Sequence, residues 1–579
     1  MNDLAKNLPP SALKDSLSDA GTYCYAAICA LSLHDLFGNE WDLEYSRDCI
    51  KKFTAHLGLP SQVNGAMESL VEGQGSQTYQ AYVELLLVEP QIKANPVIII
   101  QDMVLFGIKT GQYDARTRVL VSHVAGLMGA PAALARLAEE ALGQSLLNSQ
   151  TEEEALSPEQ QQIAMKRQRR RKFKRYALIS LATVGGGALL GLTGGLAAPL
   201  IGAGIGTIVG SGAAAAAIGS VAGAAIVGSL FGLAGAGLTG YRMKRRVGDI
   251  EEFEFGKLSS GTGGQLHIAI AVSGWLSEDD EDKFRRPWQC LDSSKEQYFL
   301  RYESNYLKEL GQALDLAVSA AVTVATQEVL KFTVLRGILT AVAWPASLVS
   351  LSSIIDNPWG VCLRRSAQVG RHLAHVLLSK HHGGRPVTLV GYSLGARVVF
   401  YCLRELADRR PGSEGIVQEA IMLGAPVTGS DSDWQDISTV VAGRIVNGYC
   451  RSDWLLKFLY RTTSVSAKIA GLGQVTCGNK RLQNFDLTDI VSGHTDYESK
   501  VDTLLKVVGV RTIECASYKN GLRKSQSESV IGSSAATTTT TTAAADSLRQ
   551  SMSDSALTDE AFALISEEPA EQPAEQNKN

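Results

Sequence analysis

Residues 387–400, VTLVGYSLGARVVF, join a strand-like apolar run to a helix-like one through Gly391, Tyr392, Ser393, Leu394 and Gly395. This G-x-S-x-G pattern predicts a nucleophile elbow. A strand-to-helix turn so sharp strains the serine backbone and leaves no room for side chains two positions either side, hence Gly391 and Gly395. It lifts the Ser393 hydroxyl above a sheet edge and sets the Leu394 N–H at a helix N-terminus, where it can hold an oxyanion. Glycine and serine are common, so the pentapeptide gains its weight from PVTLV before it and ARVVFYCLREL after it.

A serine hydroxyl needs a base, and in this architecture the chain order is serine, acid, histidine. Of the nine histidines only His494 follows Ser393, in the small-residue stretch DIVSGHTDYES. The acid should lie between them at a strand end. Asp453 follows the strand-like AGRIVNGYCRS, read as the last clear strand before His494, and opens the helix-like WLLKFLYR, where an orienting carboxylate belongs. A plain helix N-cap is its other reading. Asp431, Asp433 and Asp436 are expected in a solvated polar loop, and Asp486 and Asp489 in support of the His494 loop. For a second oxyanion donor the candidate is the Trp275 N–H, at the bend Ser273-Gly274-Trp275-Leu276 after the strand-like LHIAIAV. The acidic SEDDEDKFRRPW that follows is expected near the entrance.

Around this site, LHIAIAVSGWL, EQYFLRYES, RPVTLV, VQEAIMLGAPV and AGRIVNGY alternate with helix-like stretches, which predicts a mostly parallel sheet covered by helices on both faces. The fold class expected is α/β, an α/β-hydrolase fold over residues 250–515. Residues 1–150 carry apolar positions at helical spacing and predict an all-α N-terminal domain. His34, His56 and His123 lie in or beside its apolar faces and read as core or surface residues without chemistry. A polar and basic connector, 151–175, has too few heptads to insist on a coiled coil.

From Tyr176 to Tyr241, 66 residues pass without an Asp, Glu, Lys or Arg, between the basic KRQRRRKFKR and RMKRR. A bilayer crossing needs about 20 mostly apolar residues, so 176–241 predicts a glycine-rich transmembrane hairpin with spans Ala177–Leu200 and Ala214–Leu238. Basic flanks at both ends put both on the cytosolic side, and glycines four apart, such as Gly187, Gly191 and Gly195, suit close helix contact in lipid. A buried Gly/Ala helical pair, or a hairpin entering one leaflet, is the alternative. The tail, 525–579, is low in complexity, then acidic, and is expected to be disordered.

At 579 residues the chain should fold as about two to four units. A formal net charge of -4 argues against a general nucleic-acid binder, and GxxxxGK[ST] is absent. Nine scattered cysteines without a CxxC pair read as reduced thiols. No metal or cofactor is called for, and the first residues lack the apolar run of a signal peptide.

YDARTRVL, GLTGGLAAPLIGAGIG between basic flanks, SGWL, GYSLGAR and NFDLTDIVSGHTDY together resemble the family of transmembrane and coiled-coil domain-containing protein 4. The resemblance spans residues 20–515 and implies a multi-pass membrane protein with a serine-hydrolase fold, and no particular substrate. The expectation is a membrane-anchored serine hydrolase, an esterase or lipase on acyl esters of lipids. It would sit on an intracellular membrane with its N-terminal and hydrolase domains facing the cytosol, its partners the lipid bilayer and proteins bound by the acidic tail. The alternative is a trafficking or scaffold protein that uses the fold for binding alone.

Overall fold

In the computed structural model the described residues are 13–14, 16–74, 78–109, 111–154, 228–231, 238, 250–259, 264–276, 281–316, 319, 346–463 and 468–513. The connector from 155, the expected hairpin up to residue 227, Cys515 and the tail lie outside them. Among the described residues, no helix is long and apolar enough to cross a membrane.

The N-terminal region is all-helical: α1 (Asp19–Phe37), α2 (Leu43–Leu57), α3 (Val63–Val71), α4 (Tyr79–Val88), α5 (Pro90–Ala94), α6 (Val97–Ile108), α7 (Ala115–Leu127) and α8 (Ala132–Glu154). Helix α1 is apolar nearly all round because it is the centre of this bundle, with Tyr25 to Leu31 buried among its neighbours. Its N-terminus is fixed by Ser18, whose hydroxyl accepts from the Gly21 N–H at 3.0 Å, and that of α7 by Asp114, which accepts from Arg116 N–H at 2.7 Å. Such caps contribute about 1 kcal/mol each.

A seven-stranded sheet follows, β1 (Phe253–Lys257), β2 (Ile268–Val272), β3 (Gln297–Tyr302), β4 (Val387–Tyr392), β5 (Val417–Leu423), β6 (Ile445–Tyr449) and β7 (Leu482–Asp486), in the order β1-β3-β2-β4-β5-β6-β7. Only β1 runs antiparallel, against β3. The central strands β2, β4 and β6 are buried at every position, which is why IAIAV and VTLV read as unbroken apolar runs: helices cover both faces. At the edges β1 and β7 are more exposed. Their mixed character explains why EFEFGK and LQNFD show no apolar run, and β6 is not the last strand before His494, since β7 intervenes. Helices α9 (Ala346–Leu378), α10 (Leu394–Asp408), α11 (Asp431–Ser438), α12 (Trp454–Thr463) and α13 (Asp496–Val507) complete the layers. Asp431, Asp433 and Asp436 therefore lie on a helix, not in a loop; Trp434 and Ile437 are buried and hold its other face down.

The helical region packs beneath the N-terminal ends of the parallel strands. Tyr113 N–H donates to Gly384 O at 2.6 Å, just before β4, and Ala115 N–H to Gly415 O at 2.8 Å, just before β5. Arg118 pairs with Glu139 at 2.8 Å and donates to Gln418. Asp42, between α1 and α2, accepts from Arg481 at 2.6 Å, with side-chain exposures of 1% and 10%.

One stretch of the expected second span falls among the described residues. Gly228–Phe231 is helical. Leu230 and Phe231 are buried in the core of the helical region, and Leu238 in that of the sheet. Ser229 O accepts from Gly384 N–H at 2.9 Å, and a Cβ on Gly383, which has φ +82°, would come within 2.0 Å of Leu230 O. These residues are satisfied by protein.

Candidate active site

The strand–turn–helix expected around Ser393 is present, between β4 and α10. Ser393 has φ 51° and ψ −124°, a region costly for a residue with a side chain, of order 1–3 kcal/mol. What holds it there is close packing on three sides. A Cβ on Gly395 would lie 2.0 Å from Val272 O, and one on Gly274 would lie 2.7 Å from the Ser393 Cβ. Gly391 faces Gly395 across the turn just as tightly, a Cβ there meeting its carbonyl carbon at 2.5 Å. Ser393 N–H donates to Leu423 O at 2.8 Å, fixing the elbow to the end of β5.

Three residues far apart in sequence meet at the C-terminal edge of the sheet. Ser393 Oγ lies 2.6 Å from His494 Nε2, and His494 Nδ1 lies 2.6 Å from Asp453 Oδ2. All three are buried, at 0%, 1% and 0% exposure for Ser393, His494 and Asp453. The carboxylate only accepts, so in the neutral ring Nδ1 carries the hydrogen and Nε2 is left as acceptor for the serine O–H. Asp453 is also the N-cap of α12: its Oδ1 accepts from Leu456 N–H at 3.0 Å. The two roles read for it are thus compatible, one on each oxygen, and the cap fixes the carboxylate plane toward the imidazole.

His494 sits in the bend before α13. Asp496 accepts from Ser492 N–H at 3.0 Å, and Lys500 donates to Ile490 O at 2.7 Å, so the bend is tied at both ends. Asp486 serves the same region, pairing with Arg451 at 3.1 Å. Leu394 opens α10, and as its first residue has an N–H with no acceptor inside the helix. The indole of Trp275 covers the His494 ring, and its edge meets Tyr392 at 5.7 Å.

Two residues that shape this loop were not singled out in the sequence. Trp288 Nε1 donates to Ser273 Oγ at 2.9 Å, and Tyr302 OH to Ser273 O at 2.8 Å, so both oxygens of the residue two before Trp275 are fixed. The RRPW of the acidic insertion was the signal for Trp288. It is wholly buried, and the insertion thus braces the loop from within.

Other nucleophiles near the site are held protonated. Burial raises the Cys450 thiol above its ordinary range, with the Asp453 charge adding to it. Tyr497 lies edge-on to His494 at 5.6 Å, and burial, then Asp453, pushes its phenol well above 10. Among these described groups, Ser393 is the one hydrogen-bonded to an imidazole nitrogen.

Residues 171–511 match the family described as Protein of unknown function (DUF726). The chain is 44% identical over 464 residues to the uncharacterized membrane protein F35D11.3 of Caenorhabditis elegans, covering 79% of this chain and 74% of that one. It is 38% identical to the transmembrane and coiled-coil domain-containing protein STS1 of Oryza sativa subsp. japonica, over 69% of this chain and 61% of that one. With the protein named probable lipase MIL1 of Saccharomyces cerevisiae it shares 33% identity, over 72% of this chain and 38% of the yeast one. The rice and yeast relatives thus extend well beyond the part this chain spans. No solved structure matches. With more than half of its length matched, and relatives whose names are those of membrane proteins, the chain belongs to the family described as Protein of unknown function (DUF726).

Proposed function

We propose that the protein is a membrane-anchored serine hydrolase, an esterase or lipase that cleaves acyl esters of lipids on an α/β-hydrolase fold. The observation that carries this reading is the buried chain of two 2.6 Å hydrogen bonds linking Ser393, His494 and Asp453. Ser393 Oγ attacks the ester carbonyl as its proton passes to His494 Nε2. Asp453 holds the ring in the productive tautomer and balances its charge. The Leu394 and Trp275 N–H groups stabilise the oxyanion; removing one such donor elsewhere costs about 3–4 kcal/mol of barrier. His494 then returns the proton to the leaving alcohol, and water repeats the cycle on the acyl-enzyme.

A lipid substrate is supported by the 66-residue uncharged segment 176–241 and by the name of the yeast relative, probable lipase. In this reading the segment is a transmembrane hairpin in an intracellular membrane, basic flanks toward the cytosol, and the acidic tail is a surface for protein partners.

The test is labelling of the protein in membranes by a fluorophosphonate probe, wild type beside Ser393→Ala. Label on the wild type that vanishes in the variant supports the reading. A wild type that takes none removes the enzyme and leaves the fold as a binding scaffold.

A further inference from the structure

A second buried chain of titratable groups lies in the helical N-terminal region, at residues the sequence marked as ordinary core. His56 on α2 places Nε2 3.1 Å from Asp102 Oδ1 on α6. Asp102 Oδ2 accepts from the Tyr25 hydroxyl of α1 at 3.2 Å. At the C-terminus of α6, the Lys109 ammonium nitrogen is hydrogen-bonded to His56 Nδ1. The His56 and Asp102 side chains are only 4% and 3% exposed, and the rings of Phe53 and Phe106 stand 6.0 and 5.4 Å from the imidazole.

The protonation pattern follows from the partners. Asp102 only accepts, so in the neutral ring His56 carries its hydrogen on Nε2 and turns a bare Nδ1 toward Lys109. An imidazole oriented by a carboxylate and facing an amine is the arrangement that activates a nucleophile. Burial lowers Lys109 to about 8, against the opposing pull of Asp102. The thiols beside this cluster do not compete: burial raises Cys29, and lifts Cys49 to about 12. Lys109 itself is half-buried, at the C-cap of α6.

We propose that Lys109 is an acyl-acceptor amine, taking an acyl group from an activated thioester while His56 receives the proton. The neutral Nζ adds its lone pair to the thioester carbonyl carbon. The C–S bond breaks as the amide C–N bond forms, and the proton lost from nitrogen passes to His56 Nδ1. The thiolate leaves, and His56 gives up its proton to it through water. The site stands apart from the Ser393 chemistry and does not depend on it.

Magnitudes set the expectation. At pH 7.4 an amine titrating at about 8 is roughly one-fifth neutral, against about one part in a thousand for an ordinary lysine. Nucleophilicity falls with basicity, by a slope of about 0.5 for thiols, which returns most of that advantage and leaves a gain of about tenfold.

The experiment treats the full chain carrying Ser393→Ala with N,S-diacetylcysteamine and follows each lysine by peptide mass spectrometry between pH 6.5 and 10. Lys109 should acetylate about tenfold faster than the exposed Lys51 and Lys52 at pH 7.4, with a midpoint near 8. His56→Gln should bring it down to their rate. Acetylation of Lys109 no faster than of Lys52 in the otherwise unaltered protein overturns the proposal. That comparison stands whether or not the His56 variant folds.

Discussion

The indole of Trp275 lies over the imidazole of His494, ring centroids 5.3 Å apart and planes inclined by 27°. One residue thus carries the backbone N–H proposed above as an oxyanion donor and a side chain packed against the imidazole. The two contributions separate by substitution, because Trp275→Leu keeps the backbone and most of the buried volume but loses the ring. An aromatic pair adds about 0.5–1.5 kcal/mol beyond its burial. Fluorophosphonate labelling should therefore slow by about three- to tenfold in Trp275→Leu. An unchanged rate would mean the stack plays no part in holding His494.

The two folded regions are joined by a buried ion pair, to which Arg116 adds a longer contact with Asp42 at 3.6 Å. Arg481 donates to Asp42 and also to Leu36 O at 3.1 Å. Breaking a buried pair from one side leaves the other charge uncompensated and costs about 3–5 kcal/mol. Asp42→Leu should lower the unfolding free energy by that measure, and Arg481→Met, which leaves Asp42 facing Arg116, by less. The double variant should recover much of the loss; additive losses would show the pair to be uncoupled.

Acid should loosen the region beneath the sheet. Burial, with Arg385 adding to it, holds His382 neutral down to about 3, and burial, then Arg118 and Arg385, puts His267 well below its ordinary range. Both titrate near 6.5 in the unfolded chain, which therefore binds more protons below that pH. The stability they support is present above 6.5 and is lost as pH falls toward 3. At pH 5 His382 alone accounts for about 2 kcal/mol. His382→Phe should flatten the dependence of Tm on pH between 7 and 5, and a slope equal to wild type contradicts the assignment.

Gly383→Ala tests the seat of residues 228–231. The substitution adds a methyl where φ is +82° and Leu230 O already closes the space. It should destabilise by more than the ~1 kcal/mol typical of a simple left-handed position, and expose the chain near Phe231 to protease. Wild-type resistance there would remove the contact.

Much of the site was legible in the sequence because its determinants are local or ordered. Gly391 to Gly395 encode a turn that only small residues permit, and a single downstream histidine leaves little choice of base. Asp453 was reachable by counting strands, even though β7 was missed. An edge strand such as LQNFD mixes exposed and half-buried positions and shows no apolar run. The acidic Asp431–Ser438 stretch hid a helix, since only Trp434, Ile437 and Ser438 carry its buried stripe. The Asp102–His56–Lys109 chain could not be read at all. Its members sit on separate turns of the fold, and each residue by itself looks like one more position on an apolar helix.

Gly384, which receives the chain at Ser229, stands just before the strand that ends at Tyr392, and Ser393 follows that strand. Strand β4 is bonded on both sides, to β2 and β5, and its six buried residues span the distance between the seat of Ser229 and the elbow.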